Sequence, residues 1–496
     1  MYFLSTRYST YTAAVFTIFL TSYLLFSGIL NPSQFIGSAH EQTCPSTIPK
    51  ISEAVALEIA TSRHHIAIAS TFGFHHDVYM ALAWTVGRVL ERSVAGGSLQ
   101  VYAPSPFGFG FQTVVDDLDL YHGKIHNPDD LIRDLRSTGT ETVYDIVILG
   151  TCEIEYVISP PDLRDGLNDE LLAAWDERDE HHKFKLICIV HDVTDTTWQP
   201  VITEWTRRNT IRFLPISEHV ANGFRQLFDI LADSDDEEIR SAGYEHLPID
   251  VHIPILDLGD QPDRPFRTLS NVVIQGSFTK SRRDYDNIFD DLLASLADDP
   301  AVWGYLPLLS IPSASYEPDH SLRSPPFRLF LLGSGWLEIP VELKNIVTMH
   351  VDLNYTGEER FGIMISVGLT VMEDFYALVK EMDVCLPAFA DNGYYQRQAS
   401  STFAMAVECN AYTYVNDDRA VITRPAAMRE IDAVKALRQG SALDFLEQSD
   451  YNAPIRDSVH RMMRRGWVRN REEVRAFKQS LWERNERVVE RLLRDL

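Results

Sequence analysis

Short apolar runs alternate along most of the chain with longer segments that carry apolar residues at helical spacing. Runs bounded by polar loops are typical of buried strands, and the segments between them are typical of helices. Such alternation predicts a parallel sheet covered by helices on both faces. The predicted strands are 65–69, 99–103, 144–150, 184–191, 211–216, 272–275, 327–332, 346–351, 383–387 and 412–415. The predicted helices lie near 77–92, 128–137, 167–178, 197–207, 218–231, 284–297, 371–380 and from 400 onward.

The alternation stops between Leu256 and Arg267, where Pro262 and Pro265 lie close together. Because clustered prolines interrupt regular structure, we predict a domain boundary in this stretch. The predicted fold class is α/β, with two Rossmann-like, doubly wound domains at 63–262 and 263–440. The proline-rich interval 298–326 is predicted to be a loop insertion on the second domain.

The chain ends in a basic segment, 441–496, that is predicted to be helical. Its part from 455 to 496 carries twelve Lys or Arg against seven Asp or Glu. An apolar stripe predicts that these helices pack back on the body, with a membrane-surface helix as the alternative. The stripe consists of Val474, Phe477, Leu481, Val488, Leu492 and Leu493.

The first 62 residues form a different kind of segment. No charged residue occurs from Tyr8 to Ala39, and 13–30 is almost continuously apolar, close to the length of a membrane span. We predict a cytosolic tail at 1–12, an uncleaved signal anchor at 13–30 and a stem at 31–62. Arg7 favours a luminal body by the positive-inside tendency, so we expect a single-pass protein of the Golgi or endoplasmic reticulum. A cleaved signal peptide ending near Ala39 is the alternative.

Charge and cysteine content narrow the function further. The net charge of −26 argues against a nucleic-acid partner, which would require a basic face. The five cysteines show no CxxC spacing and lie mostly in apolar runs, so buried thiols are expected rather than a zinc site or a disulfide framework. They are Cys44, Cys152, Cys188, Cys385 and Cys409.

The stretch 382–415 is the centre of the predicted chemistry. It reads as a short apolar strand, a polar loop at 388–398 with two tyrosines, and a helix opened by Ser400 and Ser401. In such a unit the loop at the strand's carboxyl end faces a crevice, and the helix N-terminus offers free N–H groups to an anion. A phosphate fits this arrangement, while an ordinary helix cap is the competing interpretation.

Three further stretches carry a family resemblance: PISEHVANGF (215–224), HLPIDVHIPIL (246–256) and VIQGSFTKSRRDY (273–285). Together with two doubly wound domains, they resemble the GT-B-fold glycosyltransferases, especially the large retaining family of mannosyl- and glucosyltransferases, over about 63–440. A fungal-type, membrane-anchored member is expected. The resemblance implies a first domain that binds the acceptor and a second that binds the nucleotide sugar. It also implies sugar transfer to a glycan, lipid or protein with retention and without a metal or cofactor.

The chain departs from this family at its acidic pair. The family usually carries a Glu, seven residues and another Glu in this loop and helix. Here the second position falls near Ala406 and the first close to Ala399, within QRQASST, and neither is acidic. Glu408 is the nearest carboxylate, but two residues along a helix turn it by roughly 200°. The alternative function is therefore a catalytically silent, membrane-anchored binding or scaffold protein.

The candidate site residues fall into three groups. His191 and Asp192 end a strand at the crevice edge and are the catalytic candidates, with local bonding of the histidine to neighbouring acids as the alternative. Gly73 and His75 are expected to contact the substrate from the first loop. The donor-binding candidates are Gly276, Lys280, Arg282, Arg283, Tyr395, Ser400 and Ser401. The basic residues among them would neutralise a diphosphate, or else form a solvated cluster.

Overall fold

The computed structural model describes residues 63–494 apart from several gaps. The gaps are 95, 138–142, 156–165, 195–198, 260–267, 309–314, 352–371, 391–392, 410–414, 417–420, 423–429 and 440–470. The predicted tail, anchor and stem lie outside the described residues, as does the predicted boundary at 262. Within the described part, no helix combines the length and apolar character that a membrane span requires.

The first sheet is six-stranded, and its described pairs are parallel. The strands are β1 (His64–Ala69), β2 (Gly97–Tyr102), β3 (Ile125–His126), β4 (Ile146–Leu149), β5 (Lys185–Val190) and β6 (Ile211–Pro215). Their spatial order is β3-β2-β1-β4-β5-β6, so the chain reverses its direction across the sheet between β1 and β4. Strands β4 and β5 are almost wholly apolar and buried, as a sheet covered on both faces requires.

Helices connect these strands. They are α1 (His76–Arg92), α2 (Phe111–Asp117), α3 (Asp130–Arg136), α4 (Cys152–Glu155), α5 (Gly166–Asp176), α6 (Gln199–Arg207), α7 (Glu218–Ala232) and α8 (Glu237–Arg240). Helix α1 buries an apolar face that runs from Val78 to Leu90. The carboxyl end of β1 leads directly into this helix, which places the first loop at the reversal point of the sheet.

The second sheet has four strands in the order β11-β10-β7-β12, with parallel pairing. Its strands are β7 (Asn271–Gln275), β10 (Arg328–Gly333), β11 (Val347–Val351) and β12 (Val384–Cys385). The helices of this half are α9 (Tyr285–Asp298), α10 (Pro300–Trp303), α11 (Met372–Lys380), α12 (Gly393–Gln396), α13 (Thr402–Glu408) and α14 (Glu430–Gln439). The predicted α/β class with two Rossmann-like sheets is confirmed by these two strand orders.

One prediction about the second half was wrong. The interval 298–326 is not only a loop, because α10 is followed by an antiparallel hairpin of β8 (Tyr305–Leu308) and β9 (Ser315–Pro318). Pro307 and Pro318 fit there because the hairpin is a separate two-stranded sheet, where proline is tolerated. Only the last residue of the predicted strand 412–415 is described, and it lies in β13 (Val415–Asn416). This strand pairs antiparallel with β14 (Val421–Ile422).

The last described element is the long helix α15 (Arg471–Arg494), which packs along the segment 250–256 between the two sheets. Trp482 donates its indole N–H to the Ile255 carbonyl at 3.1 Å. Asn485 uses both ends of its amide on Ile253, accepting from its N–H at 3.1 Å and donating to its carbonyl at 2.7 Å. The buried members of the stripe are Val474, Leu481, Val488, Leu492 and Leu493.

The cysteine prediction was wrong for one pair. Cys152 and Cys188 form a disulfide, and both side chains are fully buried. In the parallel register, Leu149 of β4 lies opposite Cys188 of β5. Cys152 follows in the first turn after β4, which brings its side chain to Cys188. A separation of 36 residues hides this contact in the sequence. Cys385 and Cys409 are buried free thiols, as predicted, and Cys44 lies outside the described residues.

Candidate functional site

The carboxyl ends of the two sheets meet at a crevice. In doubly wound sheets, ligands bind beyond the carboxyl ends of the strands where the strand order reverses. That point lies between β1 and β4 in the first sheet and between β7 and β12 in the second. Backbone hydrogen bonds join the two edges, from Ala399 N to His191 O at 2.7 Å and from Val193 N to Arg397 O at 3.0 Å.

Two histidines form the first-sheet side of the crevice. The His75 and His191 rings stack with centroids 4.4 Å apart, and His75 Nδ1 lies 3.0 Å from the Thr151 hydroxyl. Burial, together with the nearby charge of His191, lowers the pKa of His75 well below its ordinary value. His191 is only 9% exposed, yet neither of its ring nitrogens has a hydrogen-bond partner among the described residues. Because buried polar atoms are nearly always paired, these nitrogens are candidates to bind a water molecule or a ligand.

Glu153 holds the backbone around His191, although it is not among the predicted site residues. Its Oε1 accepts from the N–H of His191 and, at 2.9 Å, from that of Asp192. Its Oε2 lies 3.9 Å from His191 Nδ1 and has no hydrogen-bond partner in the described part. Asp192 in turn accepts from the N–H and hydroxyl of Thr194 at 2.7 and 2.6 Å. The available signal was the position of Glu153 just after β4, at the reversal point.

Asp77 is a second residue that was not predicted. It lies in the first turn of α1 and is partly buried. Burial raises the pKa of Asp77, and the nearby Ser401 hydroxyl and the charge of His191 oppose that shift. Ser401 was predicted to bind phosphate, and it directly precedes α13.

Two adjacent arginines of the Gly276 loop have different environments. Arg283 is 5% exposed and donates to the carbonyls of Pro387 and Gln275 at 2.9 and 3.0 Å and to the Thr402 hydroxyl at 3.1 Å. Its guanidinium therefore links loops of the second half of the chain to one another. This geometry favours a positioning role over the predicted donor contact. Arg282 is exposed, and its charge contributes to the lowered pKa of His75. Arg282 is therefore the arginine that remains available to a diphosphate near the histidines.

Gly276 has a φ of 129°, and a Cβ at this position would lie 2.9 Å from Arg283 Nη2. Only glycine suits both this backbone conformation and the close approach of the guanidinium. Lys280 is exposed and contacts Asp286 in the first turn of α9, with 2.8 Å between Nζ and Oδ1. Lys280 therefore forms an exposed ion pair at the start of α9.

The remaining predicted residues contribute less directly. The Ser400 hydroxyl donates to the Thr402 hydroxyl at 2.9 Å. Gly73 has open space where a Cβ would stand, so no neighbour demands glycine there. Tyr395 belongs to α12, and its side chain lies outside what the structure describes. A cavity of about 30 Å³ adjoins Ser400 and Ser401, which is room for a water molecule and not for a nucleotide.

The two alanines near the expected acidic pair are buried. Ala399 is 7% exposed and Ala406 is fully buried. The Glu408 side chain contacts the segment between the sheets instead, accepting from Leu256 N at 2.6 Å. Burial raises the pKa of Glu408 to about 8. Lys478 of α15 donates to the Glu408 carbonyl, so this end of α13 belongs to the packing under α15.

No protein-family model and no curated protein sequence matches the chain. Some solved structures match at low similarity. An O-GlcNAc transferase mutant from Thermobaculum terrenum is 13% identical, over 87% of this chain and 69% of its own, with a TM-score of 0.36. The pneumococcal O-GlcNAc transferase GtfA in complex with UDP and GlcNAc is 10% identical, over 73% of this chain and 62% of its own, with a TM-score of 0.33.

Staphylococcus aureus MnaA with UDP is 11% identical, over 81% of this chain and 91% of its own, with a TM-score of 0.33. For the GtfA/B complex, this chain spans only 61% of the matched chain. The fold assignment rests on the two strand orders and not on these matches.

Proposed function

We propose that this chain is a glycosyltransferase that moves a sugar from a nucleotide-sugar donor to an acceptor in the crevice between its two sheets. The observation that carries the proposal is His191, which is buried after β5 against His75 and has two ring nitrogens that lack hydrogen-bond partners among the described residues. The Gly276 loop brings the exposed Arg282 toward the same histidine pair. A sugar hydroxyl would supply the missing partner, and a diphosphate would supply a negative charge opposite the Arg282 guanidinium.

The proposed reaction follows the retaining chemistry that the resemblance implies. The bond from the sugar C1 to the diphosphate oxygen breaks, the acceptor oxygen forms its bond to C1 on the same face, and the acceptor proton passes to the leaving phosphate. Arg282 would stabilise the charge that develops on the leaving group without a metal ion. His191 would bind a hydroxyl of the sugar or acceptor, with Glu153 and Asp192 fixing the turn that carries it.

The proposed location is the secretory pathway, with the chain anchored by 13–30 and the body luminal. The Cys152–Cys188 disulfide supports this location, because structural disulfides persist mainly in oxidising compartments. The acceptor is a glycan, lipid or protein of this pathway.

A catalytically silent binding or scaffold protein is the second candidate function. Ala399 and Ala406 favour it, because the resembling family carries its sugar-contacting carboxylates near these positions. This alternative retains nucleotide-sugar binding or partner binding and removes turnover.

A screen of full-length protein in detergent against nucleotide sugars, by thermal shift and by release of nucleoside diphosphate, tests the proposal. Ligand stabilisation should follow the ratio of ligand concentration to Kd, so a donor at about a hundred times Kd adds roughly 2.7 kcal/mol. Stabilisation together with nucleotide release supports the transferase. Stabilisation without release favours the silent alternative, and no response to any nucleotide sugar contradicts both nucleotide-dependent forms.

A further inference from the structure

Three buried polar atoms in the crevice lack hydrogen-bond partners among the described residues. They are Glu153 Oε2 and the two ring nitrogens of His191, and the two residues are 5% and 9% exposed. An ionised carboxylate oxygen can only accept a hydrogen, whereas a ring nitrogen of histidine can donate or accept. Because buried polar atoms are nearly always paired, the position of the hydrogen on the His191 ring depends on which nitrogen faces the carboxylate.

His191 Nδ1 is the nitrogen that faces Glu153. It lies 3.9 Å from Oε2, which is too long for a hydrogen bond but close enough for the carboxylate charge to favour an N–H on that side. Glu153 is held in place, because its Oε1 accepts from the backbone N–H groups of His191 and Asp192. A hydrogen on Nδ1 leaves Nε2 of the neutral ring with a lone pair and no hydrogen.

Thr151, in the same turn, orients the ring of His75. The Thr151 hydroxyl donates to the Gly150 carbonyl at 2.7 Å, so its oxygen accepts from His75 Nδ1 at 3.0 Å. Burial is the main cause of the lowered pKa of His75, so this ring is neutral at about pH 7 and its Nε2 also carries a lone pair. The rings of His75 and His191 stack 4.4 Å apart. Thr151 and Glu153 therefore give the two stacked histidines the same hydrogen pattern.

We propose that Thr151 and Glu153 are positioning residues that hold both histidines with Nδ1 as the donor and Nε2 as a hydrogen-bond acceptor. Such a pair binds hydroxyl groups, which donate a hydrogen, and repels phosphate oxygens, which only accept. The histidines therefore bind the sugar of the donor and not its diphosphate. The identity of this ligand rests on the proposed function, whereas the hydrogen positions are a property of the protein alone.

Nitrogen NMR of the full-length protein labelled with ¹⁵N-histidine tests the hydrogen positions, because a ring nitrogen with a hydrogen and one without differ widely in chemical shift. The spectra are recorded at about pH 9, where imidazole is neutral. The loss of signals in His191→Phe and His75→Phe assigns them. The Nδ1–H form should predominate in both histidines of wild type. Predominance of the Nε2–H form in either histidine overturns the proposal.

Glu153→Gln removes the charge and keeps an oxygen for the two backbone N–H groups, and the amide NH2 that replaces Oε2 donates a hydrogen. The ratio of the Nδ1–H to the Nε2–H form of His191 should therefore fall at least about fivefold. Glu91→Gln is the control and should leave this ratio unchanged, because Glu91 is exposed and its Oε1 lies 4.0 Å from the ring of another histidine, His122. An unchanged ratio in Glu153→Gln would show that Glu153 only fixes the backbone, and overturns its proposed role.

Thr151→Val tests the second contact independently. Valine keeps the shape of the side chain and removes the oxygen that accepts from His75 Nδ1. The ratio of the Nδ1–H to the Nε2–H form of His75 should therefore fall at least about threefold. An equal ratio in wild type and Thr151→Val overturns the role of Thr151.

Added nucleotides test which part of the ligand the histidines bind. UDP-N-acetylglucosamine, UDP-glucose and GDP-mannose are compared with UDP and GDP. At least one nucleotide sugar should shift the Nε2 signals of both histidines, and neither diphosphate should. An equal shift with UDP or GDP alone, or binding of a nucleotide sugar in thermal shift without a change at Nε2, overturns the assignment of the sugar to the histidines. If no nucleotide sugar binds, the proposed function fails and so does this assignment, while the spectra of the empty protein still decide the hydrogen positions.

Discussion

Buried polar side chains join the two halves of the molecule in two places, the packing under α15 and the crevice. Under α15, Asn485 uses both ends of its amide on Ile253, and Trp482 donates to Ile255, so these polar groups are paired within the chain. In the crevice, both ring nitrogens of His191 and one oxygen of Glu153 lack hydrogen-bond partners among the described residues. These residues of the two regions are similarly buried and differ in unused hydrogen-bonding capacity.

This difference distinguishes residues that stabilise the fold from residues that are available to bind a ligand. A buried group that is fully paired loses a partner when it is mutated, so its replacement costs stability. A buried group without a partner has already lost its hydration, and its replacement leaves nothing else unpaired. The comparison therefore predicts that changes under α15 destabilise the fold, whereas changes in the crevice impair binding and turnover.

The largest expected effect is that of Asn485→Ala. It leaves the N–H and the carbonyl of Ile253 buried without their partner, at about 1–3 kcal/mol for each group. We expect the free energy of unfolding to fall by about 3–4 kcal/mol in urea denaturation. Asn222→Ala, an exposed asparagine of α7, is the control and should change it by less than about 0.5 kcal/mol. A small effect of Asn485→Ala on stability would contradict the predicted difference between the α15 packing and the crevice.

The two arginines of the Gly276 loop give the next largest contrast. Arg283→Ala removes the donor to two carbonyls and a hydroxyl and should destabilise the fold by about 3 kcal/mol. Arg282→Ala should change the free energy of unfolding by less than about 0.5 kcal/mol, because its side chain is exposed. Urea denaturation of both variants measures the difference. Equal losses of stability in the two variants would contradict the different roles assigned to the buried and the exposed arginine.

His191→Phe in the crevice is expected to change stability little and to impair nucleotide release. Phenylalanine keeps a ring against His75 and removes the two nitrogens that have no partner in the described part. The free energy of unfolding should change by less than about 1 kcal/mol, while nucleotide release from the donor found by screening should fall about a hundredfold. Unchanged release, or a loss of stability equal to that of Asn485→Ala, would place His191 with the structural residues.

Glu408 predicts a pH dependence under α15. Its pKa in the folded protein is raised to about 8, above the ordinary value of 4.5, so the folded state binds the proton more tightly than the unfolded state. The stability gained is complete below the unfolded pKa and is lost as the pH rises toward 8. Between pH 6.5 and 8, wild type should lose about 2 kcal/mol relative to Glu408→Gln, which does not titrate. Parallel pH profiles of the two proteins in urea denaturation would contradict this assignment.

The sequence predicts most of the scaffold because the strands are short apolar runs with clear ends. The described parallel strands lie within two residues of the predicted ones, apart from the two-residue edge strand β3, which is too short to show a pattern. The candidate site is harder to read. Asp77 and Glu153 are single acids in a chain with 71 Asp and Glu, and only the pairing of β1 with β4 brings them to one crevice.

The sequence also does not distinguish the roles of adjacent residues. Arg282 and Arg283 have the same chemistry in the sequence, and the turn into α9 alone decides that one is solvated and the other buried. The Cys152–Cys188 disulfide depends in the same way on strand register. These features are set by tertiary contacts, which no local pattern encodes.

The central claim is that the crevice binds a nucleoside diphosphate through groups the fold leaves available. Calorimetric titration of UDP and GDP into full-length wild type, Arg282→Ala and the control Arg225→Ala, an exposed arginine of α7, tests it most directly. We predict binding by wild type and Arg225→Ala, and a loss of about 1.5–3 kcal/mol in Arg282→Ala, since a charge-assisted hydrogen bond is removed. No binding to wild type at millimolar nucleotide, or equal affinity in all three proteins, would contradict the account.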